Sequence, residues 1–282
     1  MINTERIQFP GAYGDLLAAR LELPDRPPVA YALFAHCFTC TKDYKAVVRI
    51  SRSLAASGVA VCRFDFTGLG ESQGAFASTN LTSNLEDVLA AAQFLRDRYE
   101  APQLLIGHSL GGAAILAAAS RIPEARAVVT LAAPSDTEHL STRLLQMAPE
   151  LAGAEEARVT IAGRSFLVRK QLLNDLASHK MGEYLAALDR PLLILHSPQD
   201  EIVDIDNAAR LFQQANFPKS FVSVDGADHL LANNRGDWQF VAQVIESWAK
   251  RYLAPFPEEK NDVAEMVQEG QVQVAGSPDA EE

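Results

Sequence analysis

Leu104-Leu105-Ile106-Gly107-His108-Ser109-Leu110-Gly111-Gly112, followed by an Ala/Leu/Ile run to Ser120, is the stretch that decides how this chain is read. Its first residues form an apolar β-type run. The residues after Gly112 are apolar on nearly every side, as in a helix buried in a core. Gly-x-Ser-x-Gly between a strand and a helix is a nucleophile elbow. The chain must turn sharply there. Gly107 and Gly111 leave room for neighbouring backbones, and Ser109 is held in a strained conformation that lifts its hydroxyl clear of the sheet. The free N–H groups of the helix N-terminus then face any negative charge that forms beside Ser109. Taken alone, the motif also fits an ordinary glycine-rich turn. Its flanks, and the residues nearer the C-terminus, decide between the two.

On both sides of the elbow, strands and helices alternate. Ile7–Phe9 and Leu16–Leu23 read as a hairpin around the turn at Gly11–Asp15. Tyr31–Ala35, Val59–Phe64, Gln103–Ile106, Ala127–Ala132, Pro191–His196 and Ser220–Val224 read as further strands. Helical spacing runs over Ala46–Ser57, Asn84–Tyr99, Ala208–Gln214 and Trp238–Tyr252. This order predicts an α/β fold with a doubly wound, mostly parallel sheet. From about 134 to 190 the alternation stops. Leu140, Leu144, Leu145 and Met147 fall at helical spacing, as do Leu172, Leu173 and Leu176, while Gly163 and Gly182 interrupt the run. The segment is expected to be a small helical cap over the sheet's C-terminal edge; a purely structural excursion is the alternative.

Composition sets the bounds. The chain has 282 residues, 48% of them hydrophobic, enough for a large core. No run of about 18 apolar residues appears, so no membrane span is expected. Met1 to Leu23 carries charges and Pro10 and lacks a signal-peptide core, which points to the cytoplasm. The net charge is −11, but eight acids and one lysine lie in 255–282. That stretch reads as an acidic flexible tail or linker behind a domain spanning 1–254. No basic stripe offers a nucleic-acid surface. Whether the chain forms a homo-oligomer is left open.

Ser109, Asp200 and His229 succeed one another in the chain, each in the loop after a strand. In such an order the histidine takes the serine proton as Oγ attacks a carbonyl carbon, and later returns it to the leaving group. The aspartate fixes the imidazole tautomer and stabilises its cation. Each residue also has a plainer reading, a solvated loop histidine or a turn aspartate. Asp204, Asp206 and Asp228 compete for the role of the acid. His36, His108 and His196 also lie at strand ends; the first two are expected to shape the site. The oxyanion needs two backbone donors, expected from Leu110 and Phe38. Asp65-Phe66-Thr67-Gly68-Leu69-Gly70-Glu71-Ser72 lacks the spacing and the Gly-Lys-Ser/Thr of a phosphate loop. Cys37-x-x-Cys40 could suggest redox chemistry or, with His36, zinc. However, such redox pairs usually open a helix in another fold, and a zinc site needs more ligands. Small residues packing under the oxyanion loop is the preferred reading.

Together His36–Phe38, Asp65–Ser72, the Ser109 elbow, Asp200 and His229 resemble the α/β-hydrolase superfamily, over about residues 7–253. His-Cys-Phe-Thr-Cys, Phe64–Gly70 and His196–Asp200 resemble, more narrowly, a bacterial group in which the hydrolase is commonly fused to an OsmC-like, peroxide-reducing domain. The tail then reads as the stub of that linker or as a native end. Cys37 stands where a glycine is usual in the oxyanion loop. The cap, which spans few residues and shows no long apolar stripe, adds the expectation of short-chain acyl esters, and the resemblance implies the α/β-hydrolase fold and a serine carboxylesterase-type hydrolase. It would act on a small-molecule ester through an acyl-enzyme, with no metal and no cofactor. Ser109 at the elbow speaks against dehalogenase or epoxide hydrolase chemistry. The same triad would serve thioesters, activated amides or perhydrolysis. A non-catalytic module that binds a small molecule or a partner is the rival of another class.

Overall fold

An eight-stranded sheet, seen in a computed structural model that describes residues 2–161 and 163–253, carries the elbow near its middle. The stretch 255–282, expected as a tail, lies outside the described residues. β1 (Asn3–Pro10) and β2 (Leu16–Leu23) form the antiparallel hairpin. β3 (Ala30–Ala35) leads to α1 (Lys45–Ala56) and β4 (Val59–Phe64), which lies parallel to β3. α2 (Leu81–Arg98), β5 (Leu104–His108), α3 (Leu110–Ala118) and β6 (Ala127–Leu131) continue the winding.

α2 begins earlier than its apolar spacing alone suggests. Asn80 accepts from the Ser83 amide at 2.8 Å, and Ser83 Oγ accepts from the Asn80 amide at 2.9 Å. This reciprocal cap satisfies donors that a helix end leaves bare.

After β6 the chain leaves the sheet. The segment holds the expected helices, α4 (Glu138–Met147), α5 (Lys170–Ser178) and the short α6 (Met181–Ala186). Between α4 and α5 it also forms a hairpin that the leucine spacing does not disclose, β7 (Glu156–Ile161) against β8 (Arg164–Arg169). Its signal is alternation: Ala157 and Val159 are buried on one strand, Phe166 and Val168 on the other. Gly163, at φ 76°, sits in its turn, whereas Gly182 lies inside α6 and does not break it. The sheet then resumes with β9 (Leu192–His196), α7 (Asp206–Gln214), β10 (Lys219–Ser223) and α8 (Arg235–Leu253).

The sheet order is β1-β2-β4-β3-β5-β6-β9-β10, with every pair from β4 to β10 parallel. The inner strands are mostly apolar because helices cover both faces; the buried Arg63 of β4 is paired with Glu22. β3 sends Leu33 and Ala35 into the layer with α2 and α3, and Ala32 and Phe34 into the layer with α1 and α8. α3, buried at every residue, fills one of these layers. No helix among the described residues is long and apolar enough to cross a membrane.

Candidate active site

The elbow has the geometry its glycines imply. Ser109 adopts φ 55°, ψ −124°, a left-handed conformation that costs free energy for any residue with a Cβ. The surroundings hold it there: its amide donates to the Leu131 carbonyl at 2.8 Å, and its carbonyl accepts from Gly112 at 2.8 Å. A Cβ on Gly107 would lie 2.5 Å from the Gly111 carbonyl oxygen, and one on Gly111 would lie 2.3 Å from the His36 carbonyl oxygen. So the two glycines let α3 press back against the ends of β5 and β3.

Asp200 and His229 meet across the loops after β9 and β10. The His229 Nδ1–H donates to Asp200 Oδ2 at 2.7 Å. The other carboxylate oxygen accepts from the amides of Ile202 and Val203, at 2.8 and 2.9 Å. Burial works against the Asp200 charge. The bond from His229 and the two amides overcome that and hold the carboxyl below the ordinary range. The competing acids are placed elsewhere. Asp204 Oδ1 accepts from the Asp206 amide at 2.8 Å, ahead of α7, and Asp228 caps its own loop through the Ala232 and Asn233 amides.

The loop after β3 is locked from beneath. Lys42 is fully buried, and its ammonium donates to Asp65 and Glu71, each at 2.8 Å, and to Asp43 at 3.0 Å. Burial opposes this charge, but the bonds to Asp65, Glu71 and Asp43 outweigh it and raise the lysine above its usual range. Asp65 also accepts from the backbone amides of Lys42 and Glu71, at 2.6 and 2.8 Å. Gly70, at φ 57°, makes this possible, since a Cβ there would sit 2.1 Å from Asp65 Oδ2. Thus the glycine loop of Asp65–Ser72 wraps a carboxylate. Sequence reasoning does not pair Lys42 with Asp65, because they lie 23 residues apart with no spacing to link them.

Phe38 and Leu110, expected as oxyanion donors, face the same cavity as Ser109 and His229, a space of about 550 Å³. Among the described residues, neither amide has a hydrogen-bond acceptor. The far wall comes from the cap: Leu140, Leu144 and Met147 of α4, and Ile161 and Arg164 of the hairpin. The hairpin docks on the loop after β3. Arg164 donates to the Thr39 carbonyl at 3.0 Å, and Phe38, Phe76 and Phe166 form a chain of rings 5.5 and 5.0 Å apart.

The model of the Alpha/beta hydrolase family matches residues 32–244. The chain belongs to the alpha/beta hydrolase family. This hydrolase-family chain is also similar to a solved esterase domain from a Rhodothermus marinus protein: 48% identical, TM-score 0.72, covering 89% of this chain and all of that one. It shares the fold of Est1E from Butyrivibrio proteoclasticus, solved with ferulic acid, at TM-score 0.78 and 21% identity over 88% of this chain and all of that one. Among curated proteins it resembles the mitochondrial palmitoyl-protein thioesterase ABHD10 of Rattus norvegicus, 27% identical over 203 residues, or 65% of this chain. The match spans 66% of that protein's length.

Two further features of this alpha/beta hydrolase surround the site. Cys37 and Cys40 are joined as a disulfide within the loop after β3. Their Cα atoms lie 5.2 Å apart, and the Cys40 amide donates to the Cys37 carbonyl at 3.1 Å, so the turn brings the side chains together. The bond closes only a four-residue turn, so replacing both cysteines with alanine is expected to cost about 2 kcal/mol or less. Most hydrolase activity should remain, since Lys42 and Asp65 still anchor the loop. Melting curves and kcat check this; a loss of kcat beyond about tenfold contradicts it.

The three strand-end histidines are buried and shape the site, as expected for His36 and His108. The His36 Nδ1–H donates to the Cys37 carbonyl at 2.8 Å, and its Nε2 accepts from the Phe66 amide at 3.3 Å. The His196 Nε2–H donates to the Val203 carbonyl at 2.7 Å, beside Asp200. The His108 Nε2–H donates to the His229 carbonyl at 2.8 Å, with the two rings 5.1 Å apart. Burial, aided by the nearby His229, pushes His108 down to about 3. It therefore stays neutral in the folded protein while the unfolded chain takes up a proton near pH 6.5. Its contribution to stability is full above pH 6.5 and is lost as pH falls toward 3, by about 2 kcal/mol at pH 5. His108→Gln is expected to flatten the fall in melting temperature between pH 7 and 5; an unchanged slope contradicts this.

Proposed function

We propose that this protein is a serine hydrolase of short-chain carboxylic esters that works through an acyl-enzyme on Ser109. The observation that carries the proposal is the 2.7 Å bond between His229 Nδ1–H and the buried Asp200, with His229 lining the same cavity as Ser109. That bond leaves the other ring nitrogen of His229 free to act as a base. As Ser109 Oγ attacks the carbonyl carbon, His229 Nε2 takes its proton. The carbonyl oxygen gains the electron pair and meets the Phe38 and Leu110 amides. When the intermediate collapses, the C–O bond to the alcohol breaks and Nε2 gives the alcohol its proton. Water, deprotonated by the same nitrogen, then releases the acid from Ser109. No step uses a metal or a cofactor.

The cavity supports short acyl groups. Extra methylenes gain binding only against an apolar wall. Here Leu140, Leu144 and Met147 alternate with the charged Arg143 and Arg164, which lose hydration against a long alkyl chain. The test is a series of p-nitrophenyl esters from C2 to C16. We expect kcat/KM to peak between C2 and C8; a higher value on C16 than on C4 overturns the short-chain reading. A second reading, thioester hydrolysis, is favoured by the likeness to the rat thioesterase. Butyryl esters and butyryl thioesters of matched leaving groups separate the two.

A further inference from the structure

The cap contributes two guanidinium groups to the cavity of Ser109, Arg143 from α4 and Arg164 from the start of β8. Each is held by one backbone carbonyl. Arg143 donates to Ile202, in the loop that carries Asp200, and Arg164 donates to Thr39, in the loop that carries Phe38. Arg164 also lies over the Phe166 ring, 5.0 Å from its centroid. A guanidinium has five N–H donors, so most of those on each remain unused. Among the described residues, neither arginine has a carboxylate partner within 4.0 Å. The acid on the same lining, Asp136, already accepts from the Glu138 amide at 2.9 Å. Two unpaired cations thus face a mostly apolar cavity in a chain whose net charge is −11. Arg143 is half-buried and Arg164 exposed, so an entirely apolar substrate that covers them offers neither guanidinium an acceptor in place of water, at a cost. A carboxylate would supply acceptors that match the guanidinium fork.

We propose that the cavity selects esters that carry a carboxylate several atoms from the scissile carbonyl, and that Arg143 and Arg164 read that carboxylate. The inference rests on the hydrolase reading of Ser109 and names the class of substrate for that site. The arginines anchor to the loops on opposite sides of the nucleophile, so the carboxylate can belong to the acyl chain or to the alcohol. Separate arms of the test distinguish the two sources.

The experiment measures kcat/KM on matched pairs. On the acyl side, mono-p-nitrophenyl adipate is compared with p-nitrophenyl hexanoate. On the alcohol side, 3-(4-acetoxyphenyl)propionate is compared with 4-propylphenyl acetate. The readout is the ratio of anionic to neutral substrate, so that losses common to both cancel. The wild-type ratio should be roughly ten or more in at least one pair. It should drop toward one in Arg143→Gln/Arg164→Gln and in 0.5 M salt, and should stay put in Arg98→Gln, a surface control on α2. A ratio of one or less in both pairs, or a high ratio that survives the double substitution, overturns the inference even if neutral esters are hydrolysed. A parallel calorimetric comparison of monomethyl adipate with methyl hexanoate, in Ser109→Ala protein, reads the same preference as Kd without any turnover. If no ester is hydrolysed, the hydrolase reading fails, and this Kd ratio alone decides whether the arginines select a carboxylate.

Discussion

Replacing Ser109 with alanine is expected to lower kcat on a short ester by roughly 10⁴- to 10⁶-fold while leaving the fold intact. The loss is large because the acyl-enzyme forms on Ser109 Oγ, which the substitution removes. The elbow puts Oγ at the end of β5, on the cavity that the Phe38 and Leu110 residues also line. The fold should survive because the substitution removes one oxygen and keeps the Cβ. The bonds that hold residue 109 are backbone ones, from its amide to Leu131 and from Gly112 to its carbonyl. The φ of 55° is no worse for alanine than for serine. A melting temperature within a few degrees of wild type, together with the lost turnover, is the expected pair of results. A variant that keeps more than one hundredth of wild-type kcat contradicts the assignment.

Asp200→Asn is expected to lower kcat by roughly 10² to 10⁴, and Asp204→Asn by less than about tenfold. Asp200 Oδ1 already accepts from two backbone amides, so the asparagine oxygen takes that place. Its amide nitrogen then points at His229 Nδ1, where a donor would face a donor. The imidazole answers by moving its proton to Nε2, which can no longer accept from Ser109. The imidazolium formed during turnover also loses its counter-charge. Asp204, by contrast, accepts from the Asp206 amide at the entry to α7, a contact worth at most about 1 kcal/mol of stability. The check is kcat for both variants on one short ester, with folding followed by circular dichroism. The opposite order of effects would assign the acid to Asp204.

Much of this arrangement is legible in the chain because each link is local. The strand, the Gly-x-Ser-x-Gly turn and the buried helix are contiguous, and glycine at 107 and 111 is required by backbone contacts only a few ångströms away. Asp200 and His229 come after strands whose apolar runs are plain. The features that stay hidden depend on distant partners. The β7–β8 hairpin has only two inward residues per strand, too few to stand out beside the leucine spacing of α4 and α5. Nothing marks Lys42 as buried, since a lysine enters a core only when carboxylates meet it there, and those of Asp65 and Glu71 arrive from the loop after β4. The Cys37–Cys40 bond depends on a turn whose shape the spacing does not fix. The arginines of the cap carry no signal of their own, and only the hairpin brings Arg164 against Thr39.

Trapping tests whether Ser109 is the nucleophile of a covalent mechanism. The full chain is treated with a fluorophosphonate, and its intact mass and peptide map are read by mass spectrometry. A triad of Ser109, His229 and Asp200 predicts one adduct per chain, on Ser109, absent in Ser109→Ala and formed more slowly in Asp200→Asn. An adduct on any other residue, or ester hydrolysis at wild-type rates with Ser109 unlabelled, would contradict it.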